Sequence, residues 1–212
     1  MKKFVTMFTD SAKEFTNLRS LVAAALLLAL HTVLAFFVSI QVSDSLRISF
    51  SFITNVVTGA FFGPVMGFVC GGLGDVIQFI LKPTGAFNPG LTLSSALAGM
   101  IYGLFFYKKF PSNVKDRKFK ALDLKFMGRC ILGITTDVFI VNILLSTYWI
   151  TLLIAAPGES IAAKYIALLG PRVIKNLIQL PVNIILSYYV LAFVKNIHLA
   201  PSASRAKSKV TG

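Results

Sequence analysis

An all-α integral membrane protein, six transmembrane helices with both termini cytoplasmic, is the fold class this sequence predicts, and three observations carry it. Hydrophobic residues make up 56% of the 212 and charged residues only 14%, with a mean hydropathy of +0.77, more apolar surface than a soluble domain of this size can hide. The apolar residues fall in long runs separated by short breaks rich in Pro, Gly or charge. About 20 residues cross a ~30 Å hydrocarbon core, so the length allows about six crossings of a lipid bilayer and leaves no room for a soluble catalytic domain. The Lys and Arg residues behind the net charge of +13 sit mainly in the breaks rather than on one basic face. They read as topology signals, not as a nucleic-acid footprint.

The breaks set the boundaries, and the whole is one membrane domain. Residues 1–17 are polar and mixed in charge, and the run 18–40 is the first helix; it is too long for the h-region of a signal peptide, and no small-residue cleavage site follows it. Ala25 and Ala29 lie four apart on one face of it, smooth enough for close helix contact inside the bundle or with another subunit. Residues 41–49, with Asp44 and Arg47, are expected as a polar loop, followed by a short helix over 50–62. Gly63-Pro64 turns the chain into a third helix, 65–81. Gly59, Gly63, Gly67 and Gly71 recur every four residues across that turn, and Ser95, Gly99 and Gly103 do so in the fourth helix, 91–107; such stripes let helices pack closely. Cys70 and Cys130 sit in apolar runs without metal-like spacing and read as packing thiols.

Between the third and fourth helices, residues 82–92 read Lys-Pro-Thr-Gly-Ala-Phe-Asn-Pro-Gly-Leu-Thr. Pro83, Gly85, Pro89 and Gly90 cannot continue a helix, so an ordered loop is expected, presenting Lys82, Phe87 and Asn88 at one mouth of an apolar bundle. Gly85, Gly90 and Thr92 imitate the spacing of a phosphate-binding loop, but Leu91 stands where the lysine is needed, so no nucleotide site follows.

The segment 108–129 is the most basic in the chain and is cytoplasmic by the positive-inside rule; with six crossings, both termini are cytoplasmic too. Arg47, Lys82, Lys164, Arg172 and Lys175 are then left at the outer mouth, which points to an anionic ligand. The fifth helix, 126–155, carries Asp137, Asn142, Ser146, Tyr148 and Trp149. Trp149, toward its outer end, is read either as an interfacial anchor or as a ligand contact. Asp75 in the third helix is likewise either a structural hydrogen-bond partner or a ligand contact, because an unpaired carboxylate inside a membrane is costly. The sixth helix, 171–195, is expected to open with Pro171 in its first turn. Arg172, Lys175, Asn176, Gln179 and Asn183 follow at spacings of three, four, seven and eleven from the arginine, one polar stripe that should line a ligand rather than face lipid. Residues 196–212 read as a short, disordered, basic cytoplasmic tail.

Two of these stretches resemble a known family, the substrate-binding S components of energy-coupling factor (ECF) vitamin transporters, and within it the folate-specific members. One is Pro83-Thr84-Gly85 with Phe87-Asn88-Pro89-Gly90-Leu91-Thr92-Leu93-Ser94; the other is Arg172-x-x-Lys175-Asn176-Leu177-Ile178-x-Leu180-Pro181. The resemblance implies a non-enzymatic, multi-pass protein of the cell membrane that binds folate from outside with high affinity. It implies delivery through a complex with a transmembrane coupling subunit and two ATPase subunits, which use ATP, while this chain holds no cofactor of its own. In that family an Ala-xxx-Ala face on the first helix meets the coupling subunit, and Ala25 and Ala29 match it.

Folate joins a flat pterin to an aromatic linker and a glutamate with two carboxylates. Asn88, Asn176 and Asp75 suit the pterin edge; Phe87, Tyr148 and Trp149 suit stacking; Arg172, Lys175 and Lys82 suit the carboxylates, and Arg172 equally suits the pterin carbonyl. The alternatives are an S component for riboflavin or thiamin, a self-sufficient carrier, for which no inverted repeat is evident, and a small intramembrane enzyme using Asp75 and Asp137 as acid and base. No nucleophile, His pair or metal motif accompanies that last pair.

Overall fold

The computed structural model of the chain describes residues 2–37, 39–43, 46–83, 86–111, 114–115, 118–119, 123–155 and 160–196. In order, they form α1 (Lys2–Lys13), a 3-10 turn (Glu14–Thr16), α2 (Leu18–Phe37), a hairpin of β1 (Ser39–Ser43) and β2 (Leu46–Ser49), α3 (Phe52–Phe62), α4 (Pro64–Leu81) and α5 (Pro89–Phe106). A two-rung ladder of β3 (Val114–Lys115) and β4 (Lys118–Phe119) precedes α6 (Leu124–Thr136), which runs without a break through a π-helical segment (Asp137–Leu145) into α7 (Ser146–Ile154); α8 (Ile161–Asn196) ends the described chain. The described residues are therefore helical apart from two small antiparallel hairpins. Among the described residues, five helices are long and apolar enough to cross a membrane: α2, α4, α5, the continuous Leu124–Ile154 and α8; α3 is a shorter apolar helix of 11 residues.

The two small-residue stripes meet each other. A Cβ on Gly99 would lie 2.0 Å from the Gly67 carbonyl oxygen, and one on Gly71 2.4 Å from that of Ser95. On Gly103 it would lie 2.4 Å from Cα of Pro64, and on Gly59 2.6 Å from the Gly103 nitrogen. Since α4 and α5 run in opposite directions along these stripes, backbone rests on backbone and only glycine or a comparably small residue fits. Gly63 turns α3 into α4 at φ +88°, a region that side chains avoid.

Below this sheet of close-packed backbone, Met66, Phe106, Ile134, Tyr188 and Leu191 form the tightest part of the apolar core, each no more than 1% exposed. Two polar contacts fasten the connection from α5 to α6 onto α8 at the same end. The Asp123 amide donates to Tyr188 Oη at 3.0 Å, and Lys195 Nζ donates to the Pro111 carbonyl at 2.6 Å.

Several boundaries differ from expectation, each for a physical reason. The stretch 1–17 is not merely polar: it forms α1, clamped by buried Ser11, whose Oγ donates to the Phe62 carbonyl (2.6 Å) and accepts from the amides of Val65 (3.0 Å) and Met66 (3.3 Å). Those amides belong to the first turn of α4, which has no intrahelical acceptors for them. The expected loop at 41–49 is part of the β1–β2 hairpin, in register from Ser39 opposite Ser49, so α2 stops at Phe37. α5 begins at Pro89 because Asn88 caps it. The largest correction is α8, which starts at Ile161 with Pro171 inside it rather than in its first turn; neighbouring helices can accommodate an internal proline in an apolar span. Asp44, Thr84, Gly85, Asp116, Arg117, Lys120, Pro157 and the expected tail over 197–212 lie outside the described residues.

Candidate ligand-binding site

Inside the bundle is a cavity of about 210 Å³ whose wall is polar. His31 of α2, Asn55 of α3 and Asp75 and Gln78 of α4 contribute from one side; Tyr102, Asp137 and Asn142 close another; Lys175, Asn176, Gln179 and Asn183 of α8 form the third. Four members of the predicted α8 stripe thus face one space, which is how a membrane helix retains polar groups at depth.

The bundle end that carries Lys82, Phe87 and Asn88 is the mouth. At a rise of about 1.5 Å per residue, His31 and Asp75, six residues from the mouth ends of α2 and α4, lie ~9 Å in. On α5, Tyr102, the partner of Asp137, is seven residues further from the mouth than Ser95, the partner of Asp75, so Asp137 lies ~10 Å deeper than Asp75.

The upper level is tied by hydroxyls. Asp75 accepts from Thr92 Oγ1 at 2.8 Å and Ser95 Oγ at 3.3 Å, joining α4 to α5 beside the glycine stripe. His31 Nδ1 is 2.8 Å from Thr54 Oγ1, whose own proton goes to the Ser51 carbonyl at 2.6 Å. The hydroxyl proton is therefore committed, so Nδ1 is the donor.

At the lower level, Asp137 Oδ2 accepts from Tyr102 Oη at 2.7 Å and Asn142 Nδ2 at 3.1 Å. The π register makes the second bond possible: residues five apart, which point away from each other on an α-helix, come onto one face. Among the described residues no group of three or more His, Cys, Asp or Glu is placed to hold a metal ion.

The mouth is organised by Asn88 and Trp149. Asn88 Oδ1 accepts from the Gly90 amide at 2.9 Å, capping α5, while its Nδ2 donates to the Trp149 carbonyl at 3.1 Å. A Cβ on Gly90 would lie 2.0 Å from Cδ2 of Trp149, so the indole rests on bare backbone. Tyr148 stands edge-on to Trp149 at 5.4 Å. Phe87 packs against Phe79 at 5.2 Å and Lys82 lies over the Phe36 ring at 5.7 Å. Arg172, half-buried, donates from Nη1 to Thr147 Oγ1 at 3.3 Å.

Of the residues predicted for the site, then, Asp75, Lys175 and Asn176 line the cavity, whereas Lys82, Phe87, Asn88, Tyr148, Trp149 and Arg172 do not. Asn88 commits both ends of its amide to the protein itself. Ala25 and Ala29 are exposed on α2 while Ala24 turns inward at 3% exposure, which removes internal packing as the reason for their spacing.

Residues 19–191 match the family model of the ECF transporter, substrate-specific component. The chain belongs to that family. Among relatives of this S component, the folate transporter FolT of Clostridium novyi (strain NT) is 30% identical over 164 residues, covering 77% of this chain and 83% of the relative. FolT of Leuconostoc mesenteroides subsp. mesenteroides is 29% identical over 174 residues, covering 82% and 84%. Among solved structures, a crystal structure of FolT bound with folic acid superposes with a TM-score of 0.68 at 30% identity, over 82% of this chain and 93% of that one. The S component thus has a FolT-like membrane fold, in a family of transporter substrate-binding components.

Sequence reasoning missed several lining residues of this S component. His31, Asn55, Gln78 and Tyr102 were not singled out, and Asp137 entered only as half of an acid–base pair. For His31 the signal was present, since an ionisable side chain inside an apolar run is by default a functional candidate. For Tyr102 there was none, because tyrosine is common in membrane helices for other reasons.

Proposed function

We propose that this S component binds folate with high affinity at the outer face of the cell membrane and passes it to an ECF module. The observation that carries the reading is the polar cavity walled by the α8 stripe, in a chain related to FolT along most of its length. In this reading α3 is the sixth crossing, the basic segment 108–129 and both termini are cytoplasmic, and the mouth faces outward. Asp75 and Asn176 meet polar edges of the ligand, and Lys175 holds carboxylate from within. Arg172, Lys82 and Asn88 with Phe87, Tyr148 and Trp149 form the rim.

The cavity is smaller than the roughly 300–1,000 Å³ of a typical drug-sized site, so folate enters with its tail at the mouth or with rim side chains displaced. Ala25 and Ala29 dock a transmembrane coupling subunit, and ATP is used by two ATPase subunits of that module rather than by this chain. No enzymatic step is assigned to it. Asp75 accepts from Thr92 and Ser95, and Asp137 from Tyr102 and Asn142, so both carboxylates are engaged in tying helices of the bundle together.

The test is a titration of the purified, detergent-solubilised chain with folate, following its only tryptophan, Trp149, with calorimetry alongside and riboflavin and thiamin as controls. Tight one-to-one folate binding without a partner is expected. Binding of riboflavin or thiamin instead would keep the family and reassign the ligand. Uptake by cells that express this chain without an ECF module would favour a self-sufficient carrier.

A further inference from the structure

Two buried oxygens on the cavity wall have no donor among the described residues: Oδ1 of Asp137 and Oδ1 of Asn183. They belong to different helical rods yet line the same cavity. Asp137 is only 3% exposed, and its donors, Tyr102 and Asn142, are both spent on the other oxygen. Folded proteins leave very few buried acceptors bare, and each one calls for something that completes it. The terminal torsions of Asp and Asn are soft, so both oxygens can turn toward a donor that enters the cavity.

The chemistry of the wall is graded along α8. Lys175, which supplies only donors, stands eight residues nearer the mouth than Asn183, ~12 Å along the helix. A ligand that fits this gradient carries negative charge at one end and two adjacent hydrogen-bond donors at the other. Folate has both: its glutamate bears the carboxylates, and its pterin places N3–H beside the 2-amino group on one edge. Riboflavin does not, because its ring edge sets N3–H between two carbonyls and would point an acceptor at an acceptor. The aminopyrimidine of thiamin sets its amino group beside a ring nitrogen acceptor, with the same conflict. Aiming bare acceptors at a competitor's carbonyls is an effective way to reject it.

We propose that Asp137 and Asn183 form an acceptor pair that selects the 2-amino and N3–H edge of a pterin, seating the bicycle at the deep level with the glutamate toward Lys175 and Arg172. This rests on the folate reading, and it adds both an orientation and a reason for the specificity.

The experiment compares folate with its 2-desamino-2-methyl analogue, by calorimetry, on the unmodified chain and on Asp137→Asn. On the unmodified chain the analogue should bind at least about ten-fold more weakly than folate. On Asp137→Asn folate itself should weaken, and the gap between the two ligands should shrink. Equal affinity of folate and analogue for the unmodified chain overturns the acceptor pair while leaving folate binding intact. That comparison needs no variant, so it decides even if Asp137→Asn does not fold. Absence of folate binding by the unmodified chain overturns the pair together with the reading on which it rests.

Discussion

The two halves of the bundle are held together by opposite means. On the α3–α4–α5 side the helices touch through backbone, at Gly59, Gly67, Gly71, Gly99 and Gly103, and Asp75 is satisfied by two hydroxyls within that wall. On the side of α6, α7 and α8 the helices are spaced by side chains, one segment is in π register, and Asp137, Asn183 and Ser187 each bury an oxygen without a partner among the described residues. The first arrangement is stiff, because no rotamer change can relieve a backbone contact. The second keeps polar groups that cost stability, and such a cost persists where a ligand gains from it. The difference separates a supporting wall from a recognising one.

The comparison is broken most directly at Gly99. Gly99→Leu must drive a side chain into the Gly67 carbonyl, already 2.0 Å from an added Cβ. Overpacking against side chains costs about 1–3 kcal/mol, and against backbone it should exceed that range. We expect loss of monodisperse protein on size exclusion, or a large drop in thermal midpoint in detergent. A Gly99→Leu protein of ordinary stability would show that the wall is not held through its backbone.

The next largest effect belongs to the recognising side. Arg172→Ala should weaken folate binding by about ten-fold or more, equivalent to ~1.4 kcal/mol from a charged hydrogen bond, and leave the thermal midpoint nearly unchanged. Calorimetry and a melting curve on one preparation check both halves of the statement. Unchanged affinity removes Arg172 from the rim.

These contrasts also mark what the sequence could and could not reveal. The glycine stripes were legible because a period of four is written locally, and so was the α8 stripe, whose offsets from Arg172 predicted a shared face that the cavity now occupies. Ser11 was illegible, because its partners lie more than fifty residues away. The π segment was illegible too: its one-residue shift of register leaves no mark on composition, yet it decides that Asn142 reaches Asp137. Gly170-Pro171 misled, since the pair reads as a helix start in a soluble protein, whereas α8 passes straight through it.

A smaller effect tests how the amino-terminal helix is attached. Ser11→Ala removes the acceptor for the Val65 and Met66 amides and the donor to Phe62, as the loss of a helix cap would. A cost of about 1 kcal/mol is expected, concentrated in faster hydrogen exchange of α1 and the first turn of α4. Uniformly faster exchange over the whole chain would mean that the clamp is not local.

The smallest effect is the sharpest comparison, because one substitution is made in both halves. Ser94, 2% exposed in α5, donates to the Gly90 carbonyl at 2.8 Å, whereas Ser187, fully buried in α8, has an oxygen without a partner among the described residues and is absent from the cavity wall. Ser94→Ala should lower stability by roughly 0.5–1.5 kcal/mol, the net worth of an ordinary hydrogen bond. Ser187→Ala should be neutral or stabilising by less than about 1 kcal/mol, since it deletes a buried group whose desolvation nothing offsets. Thermal midpoints of the two variants against the parent provide the measurement. Opposite signs would locate the unsatisfied polarity in the recognising half as a property of that half, independent of ligand contact. Equal losses would mean that Ser187 has a partner after all, and that the two halves differ in packing alone.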